Sequence, residues 1–281
     1  MSKIRIMSHN LWKNDNNRPE WEEKGLDCSA VKRAQGFLRV YKELSPHVIG
    51  CQEMSPLMAD EIVRGCLEQG QKYALLWGRD TPILYRSDLF ELADSDFSLF
   101  PKELPGYEGE FNNYNTKSMN IALFRIKENG RLLLFSTAHL WWKSAQPTAK
   151  NYQPHSDKAR VYQLGLLMDK LDFYRDKYNC PAIITGDLNC GYTSEALRSA
   201  LERGYLHAHD VAVDTDESIG LHYCFGDGYE KYYYDYPFES AIDHILVNSQ
   251  DMLVVRRFER YSPEYYFPLS DHSPTFIDAE I

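Results

Sequence analysis

Asp187 and Asn189 close a short apolar run, Ala182-Ile183-Ile184-Thr185-Gly186, that reads as a buried strand delivering polar groups to its exposed end. Strand periodicity would send both side chains to one face, setting a carboxylate able to take a proton beside an amide able to hold an anionic oxygen. Taken alone, the pair is equally a strand-end Asp and Asn capping backbone groups. The arrangement recurs, however. Asn10 follows the alternating segment Lys3 to Ser8, Glu53 follows the apolar run His47 to Gln52, and His139 follows Arg131 to Thr137. Asp243 opens the run Ala241 to Val247, and Asp271-His272 precedes the final run, Thr275 to Ala279. Carboxylates, amides and imidazoles at successive strand ends are the groups that hold divalent cations, orient water and move protons.

The elements that must position these residues follow from periodicity. Apolar positions Val31, Ala34, Phe37, Leu38, Tyr41 and Leu44 recur at helical spacing before Ser45-Pro46, and the strand ending at Glu53 completes a strand-helix-strand opening. Ser55-Pro56 starts a helix over Leu57 to Leu67. Tyr73 to Trp77, Pro82 to Arg86 and Phe90 to Phe100 read as strands, with Arg79-Asp80 as a turn. Met119 to Ile126 and Arg131 to Thr137 form a hairpin across Asn129-Gly130, a pair suited to the primed turns. A helix over Asp157 to Tyr174 turns Val161, Leu164, Leu167, Met168 and Leu171 inward, and a shorter one spans Ala196 to Arg203 before Gly204. The segment Pro101 to Lys117 is a polar surface insertion near the site, and Trp141 to Pro154 is a second loop. Asp214 to Phe238 is irregular and rich in aromatics (Tyr223, Phe225, Tyr229, Tyr232, Tyr233, Tyr234, Tyr236), a candidate substrate wall. With no repeat or linker, residues 1–281 are expected to form a single domain.

Composition narrows the partners. A net charge of −10 argues against a protein that grips long nucleic acid by phosphate neutralisation. No apolar stretch has the length of a signal peptide or membrane span, so no membrane anchor and a cytoplasmic location are expected. The 6 cysteines show no C-x-x-C pair or zinc spacing and read as reduced core residues.

Over essentially its whole length the sequence resembles the endonuclease/exonuclease/phosphatase superfamily. The resemblance rests on His9-Asn10, Ile49-Gly50-Cys51-Gln52-Glu53, Thr137-Ala138-His139-Leu140, Gly186-Asp187-Leu188-Asn189, Ile242-Asp243-His244-Ile245 and Ser270-Asp271-His272. It implies an α/β (α+β) four-layer sandwich, with two mixed β-sheets packed face to face and flanked by helices. It also implies a metal-dependent phosphoesterase that cleaves a phosphodiester, as a nuclease or a small-molecule phosphodiesterase. In that reading Glu53 is the main Mg²⁺ or Mn²⁺ ligand, with Asn10 and Asp271 ligating or supporting the ion. His272, oriented by Asp243, is the general base or a phosphate-contacting imidazole, with Asp187 the other candidate for activating water. Asn189 and His139 hydrogen-bond the phosphoryl oxygens or assist the leaving group.

The motif style is nearest to the deadenylase and nocturnin-type branch, in which a basic residue on the helix carrying Arg160 and Gln163 lies near the site. Ala138 departs from that branch's Thr-His-Leu pattern. The implied partner is a phosphate-ester substrate, a short single-stranded nucleic acid or nucleotide included. A phosphomonoesterase, a phospholipid diesterase and an idle binding module are the alternatives. No motif supports a catalytic role for Tyr107 or Tyr114.

Overall fold

The computed structural model describes residues 2–216, 241–248, 251–261, 263–266 and 268–281, together with the backbone of 221–225 and 231–235. Its first strand is Lys3–Asn10 (β1), followed by Pro19–Glu22 (α1), Ala30–Leu44 (α2), Val48–Gln52 (β2) and Pro56–Glu68 (α3). Strands Tyr73–Leu76 (β3), Ile83–Arg86 (β4), Phe90–Leu99 (β5), Ser118–Ile126 (β6) and Leu132–His139 (β7) come next. Ser156–Tyr178 (α4), Ala182–Asp187 (β8), Glu195–Glu202 (α5), Leu206–His207 (β9), Ala208–Val211 (α6) and Asp214–Thr215 (β10) continue the chain. It ends with Leu221–Phe225 (β11), Lys231–Asp235 (β12), Asp243–Asn248 (β13), Val254–Arg260 (β14) and Thr275–Glu280 (β15).

Two mixed sheets result, in the orders β10-β14-β15-β1-β2-β4-β3 and β5-β6-β7-β8-β13-β9. β1 lies parallel to β2 and antiparallel to β15, whereas β8 lies parallel to β7 and antiparallel to β13. Ile4, Ile6, Val48 and Ile83 of the first sheet meet Phe124, Leu133, Phe135, Ile183 and Ile245 of the second. On the outer side of the first sheet, Met7, Ile49 and Cys51 are covered by Phe37, Val40 and Tyr41 of α2 and Ile62 of α3. On the outer side of the second, Ile121, Leu134 and Ile184 are covered by Leu164, Leu167, Met168 and Leu171 of α4. The layers therefore run helix, sheet, sheet, helix. Being covered on both faces is why β2 and β8 read as continuous apolar runs.

The sheets approach closely beneath the polar strand ends, at Gly50. A Cβ on Gly50 of β2 would lie 2.2 Å from Thr185 Oγ1 and 2.8 Å from Thr137 Cβ, so only glycine leaves room for these two strands to face β2. Caps fix the helices where the sequence placed them. Ser29, Ser55 and Ser194 accept from Lys32, Met58 and Leu197 N–H, and Ser45 closes α2 in the left-handed region.

Four expectations change. The hairpin between β6 and β7 turns through four residues, 127–130, with Gly130 N–H bonded to Ile126 C=O at 2.8 Å and only Gly130 of the four at positive φ. A primed turn would need Asn129 there as well. The segment Asp214 to Phe238 is not irregular throughout, since β11 and β12 pair antiparallel. Its aromatic side chains, and that of Cys224, lie outside the described residues. The other five cysteines are free and buried. The insertion before Lys117 also contributes core, because Leu104 and Phe111 are buried with Trp141 and Ala159 in a small satellite cluster. Finally, β9 and α6 went unread because elements so short leave no periodicity. Among the described residues no helix is long and apolar enough to cross a membrane.

Candidate active site

Glu53 follows β2 with φ 56, a left-handed backbone that costs a non-glycine residue about 1 kcal/mol or more. Its N–H donates to Asp80 C=O (2.9 Å), and its carboxylate accepts from the backbone N–H of Lys13 (3.1 Å). Asn10, buried at the end of β1, donates through Nδ2 to Asp187 Oδ2 (3.1 Å) and to Glu53 Oε1 at 3.5 Å. Its Oδ1 already accepts from Trp12 N–H (3.0 Å). Asn10 thus links the two carboxylates by donating to both.

Asp187 is the last residue of β8, and strand geometry stops there. Asn189 has φ 51, its N–H turns back to Asp187 Oδ1 (3.0 Å), and its Nδ2 donates to Leu140 C=O (3.1 Å). Both residues line one cleft, yet Asn189 reaches it through a turn that Asn tolerates rather than through strand alternation.

His139 ends β7 with its ring 4% exposed, Nε2 lying 3.5 Å from Asp187 Oδ2 and 3.9 Å from Glu53 Oε1. Lys117, at the entry to β6, places its ammonium 2.6 Å from the same Nε2, while Nδ1 lies 2.9 Å from Asp80 Oδ2. An ammonium can only donate, so Nε2 is the acceptor and Nδ1 carries the proton toward Asp80. The imidazole as held offers no N–H to a ligand. Burial pulls the Lys117 amine down from its usual range, against the attraction of Asp187, Glu53 and Asp80. Glu53 and Asp80 are pushed up by burial, but His139 and Lys117 outweigh it and hold both carboxyls below their ordinary values. The Lys13 ammonium is 3.4 Å from Asp80 Oδ1.

A second imidazole enters from the segment before β15. His272 Nδ1 lies 2.7 Å from Asp243 Oδ2 at the start of β13, and its Nε2 is 3.9 Å from both Asp187 Oδ2 and Asp271 Oδ1. Burial alone would lower this group, but Asp243, followed by Asp271 and Asp187, holds His272 well above the usual histidine value. Ser270 ties the segment to the end of β1 by donating to Asn10 C=O (2.7 Å). Asp271 stands at the edge, its carboxyl pushed up to about 6 by withdrawal from water and by Glu53 and Asp187, against the pull of His272.

The structure therefore gathers Asn10, Glu53, His139, Asp187, Asp243 and His272 in direct contact, with Asn189 and Asp271 adjoining them. Glu53, His139, Asp187, Asn189 and His272 open onto a cleft of about 330 Å³ that is also lined by Lys13, Asp80, Asn113, Tyr114, Thr116, Lys117 and Trp142. Asp80 and Lys117 escaped the sequence reading. Lys117 sits immediately before β6, next to a strand end like the residues that were found, and that position was its usable signal, whereas Asp80 lies in the turn three residues ahead of β4.

Arg160 and Gln163 have a different place from the one expected. Arg160 donates to Trp141 C=O (2.9 Å) and Lys143 C=O (2.8 Å). Gln163 accepts from Trp141 N–H (2.8 Å) and donates to Phe111 C=O (2.9 Å). These buried side chains hold the two loops around the cleft and do not line it.

The donor set fits a hard divalent cation. Glu53, His139 and Asp187 offer ligand atoms within 4.8 Å of one another, and two of the three are carboxylates.

Known structures share this architecture. An endonuclease/exonuclease/phosphatase from Bacteroides vulgatus superposes with TM-score 0.73 at 20% identity, covering 100% of both chains. A mannosyl-6-phosphatase of Bacteroides thetaiotaomicron gives TM-score 0.72 at 20% identity, covering 99% of this chain and 100% of that one. D. rerio TDP2 complexed with single strand DNA product gives TM-score 0.66 at 17% identity, covering 100% of both. No curated protein matches the sequence. The profile of the Endonuclease/Exonuclease/phosphatase family matches residues 7–272, which span β1 through the His272 segment, and the chain belongs to that family.

Proposed function

We propose that the protein is a metal-dependent phosphoesterase that hydrolyses a small phosphate ester by attack of water. The observation that carries the reading is the convergence of Glu53, Asp187 and His139 with the Asp243-His272 pair in one cleft. Glu53 and Asp187 would hold Mg²⁺ or Mn²⁺, with Asn10 fixing the two carboxylates, Asp271 supporting them from the rim, and His139, whose Nε2 accepts from Lys117, standing beside them. When bound, the cation would neutralise charge developing on phosphoryl oxygens that are already negative. Asp187 would take the proton of the attacking water as the new P–O bond forms, and the ester P–O bond would break with that proton passed on to the leaving oxygen, which departs as the alcohol. His272, charged and steadied by Asp243, meets the phosphoryl oxygens from the other side. Asn189 adds a polar rim to the cleft, and Asp80 fixes the tautomer of His139.

Between the ester types, the sequence placed a diester first. The structure favours a monoester for one reason: Lys117 is a buried cation beside the candidate metal ligands, and a dianionic phosphate benefits more from it than a monoanion. The mannosyl-6-phosphatase likeness agrees with that choice, and the TDP2 likeness keeps the diester as a second reading.

The test compares p-nitrophenyl phosphate with bis(p-nitrophenyl) phosphate, in Mg²⁺, in Mn²⁺ and in EDTA. Wild type is expected to turn over the monoester faster, and only with metal. Glu53→Gln is expected to lose that turnover while keeping its fold, and to lose the rise in melting temperature that Mn²⁺ gives the wild type. Undiminished metal-dependent turnover by Glu53→Gln would remove Glu53 from the mechanism.

A further inference from the structure

Tyr114 is 89% exposed and Trp142 is 40% exposed, yet both line the same cleft as the catalytic groups. They come from different loops, one before β6 and one after β7. Each loop is held firmly. Asn112 is buried and brackets the first loop, donating to Phe100 C=O (2.6 Å) and Lys117 C=O (2.9 Å) and accepting from Lys117 N–H (3.1 Å). Within that bracket Tyr114 and Asn115 both take left-handed backbone, φ 53 and 55, a conformation that disfavours side chains larger than glycine. The second loop is anchored through Trp141, which is 1% exposed, packs on Phe111 at 6.0 Å and carries the Gln163 and Arg160 bonds. The Trp142 ring lies 6.2 Å from that of Trp141 and 5.9 Å from the Lys143 ammonium, with 40% of the residue exposed.

Folding gains little from a wet tyrosine on a strained backbone or from a half-exposed tryptophan on a fixed loop. A flat ring bound against them would gain from both. The cleft volume of about 330 Å³ is near the lower end for ligand sites and is enough for a phosphate and one ring. Asn113 and Thr116 add amide and hydroxyl groups to the same wall, suited to hydroxyls at a ring's edge.

We propose that Trp142 and Tyr114 form the subsite for the leaving alcohol, and that this alcohol carries a ring with a flat face, either a sugar or a nucleoside. The assignment rests on the phosphoesterase reading above. Hydrolysis leaves the ring-bearing alcohol on the aromatic pair and inorganic phosphate among the charged groups.

The experiment measures kcat and KM of the full chain with Mn²⁺ on glycerol 3-phosphate, glucose 6-phosphate and adenosine 5′-monophosphate, in wild type, Trp142→Ala, Trp142→Phe and Tyr114→Ala. Stacking of one ring on an aromatic side chain corresponds to roughly a tenfold change in KM. The assignment predicts that rise on at least one ring-bearing ester for each alanine variant, several times larger than the change on glycerol 3-phosphate. It also predicts recovery in Trp142→Phe. Which of the two ring esters responds identifies sugar or nucleoside. Equal loss on all three esters, or no change on any, would overturn the subsite while leaving the phosphoesterase intact. Hydrolysis of none of these and of neither p-nitrophenyl ester by wild type would overturn the phosphoesterase reading, and the subsite with it.

Discussion

At the scale of single residues, the cleft is a balance between carboxylates and two kinds of cation. Lys117 is fixed in place by the strand that follows it, so its charge is present before any ligand arrives. Lys117→Met keeps the length and removes the charge. We expect kcat on a phosphomonoester to fall about 10²-fold, the cost of losing one preorganised charged donor, while Mn²⁺ still raises the melting temperature. Steady-state kinetics and thermal melts check both halves. Gly186 is constrained by approach rather than by charge. A Cβ there would lie 2.2 Å from Ala138 C=O on the neighbouring strand, which is backbone and cannot swing aside. Gly186→Ala is therefore expected to cost about 2–4 kcal/mol in urea unfolding and to displace Asp187.

The chemistry-bearing residues were legible for a physical reason. An apolar run that stops at a carboxylate or imidazole is conspicuous, and Glu53, His139 and Asp187 all sit so, while Asp243 stands at the start of one. Lys117 was hidden by the polar composition of the loop before it, and Asp80 by a plausible turn. Arg160 and Gln163 were legible as important but not as to why. Both bond backbone carbonyls or N–H groups as readily as ligands, and sequence does not separate the two uses.

At the scale of elements, α2 does more than cover a sheet. Arg33 donates Nε to Cys28 C=O (2.9 Å), Nη1 to Leu11 (2.6 Å) and Leu269 (2.8 Å), and Nη2 to Trp12 (2.8 Å) and Asn14 (2.7 Å). All five guanidinium N–H groups are thereby satisfied by main-chain oxygens. Cys28 directly precedes the helix, while the other four carbonyls belong to the loop carrying Lys13 and to the segment leading into Asp271 and His272. One helix thus sets the distance between two parts of the cleft. Arg33→Lys offers three donors from a single point and cannot span them. We expect it to lose about 2–4 kcal/mol in urea unfolding and to lower kcat at temperatures where the chain remains folded. Wild-type kcat in the folded variant would show that the loops hold themselves. The helical pattern made α2 readable, yet nothing in it distinguished Arg33 from an ordinary surface arginine.

At the scale of the whole molecule, acid sensitivity is built in away from the cleft. His207 Nε2 is 3.0 Å from His244 Nδ1, and His244 Nε2 is 2.7 Å from Cys190 C=O. Burial holds both rings neutral, pulling His207 well below the usual value and His244 down to about 4, with Arg260 reinforcing the effect on each. The unfolded chain takes up these protons as pH falls through about 6.5, whereas the folded chain resists until about 4. Their contribution is therefore complete above pH 6.5 and is lost between there and about 4. We expect roughly 3 kcal/mol of unfolding free energy from His244 to disappear across that window, with His207 acting in the same direction. Urea titrations at several pH values should show the fall, and His244→Gln should make it shallower.

The sheet order carries one more consequence, for how the protein is made. β1 lies between β2 and β15, so the first strand of this fold finds its second neighbour only when the fold's last strand has been synthesised. At about 5–20 residues per second, that leaves a central strand with an open edge for tens of seconds. His272 lies just ahead of β15, on the segment bonded to the end of β1. A nascent chain would therefore carry Glu53, His139 and Asp187 long before it acquired the imidazole that completes the cleft, and hydrolysis would wait for the segment ahead of β15.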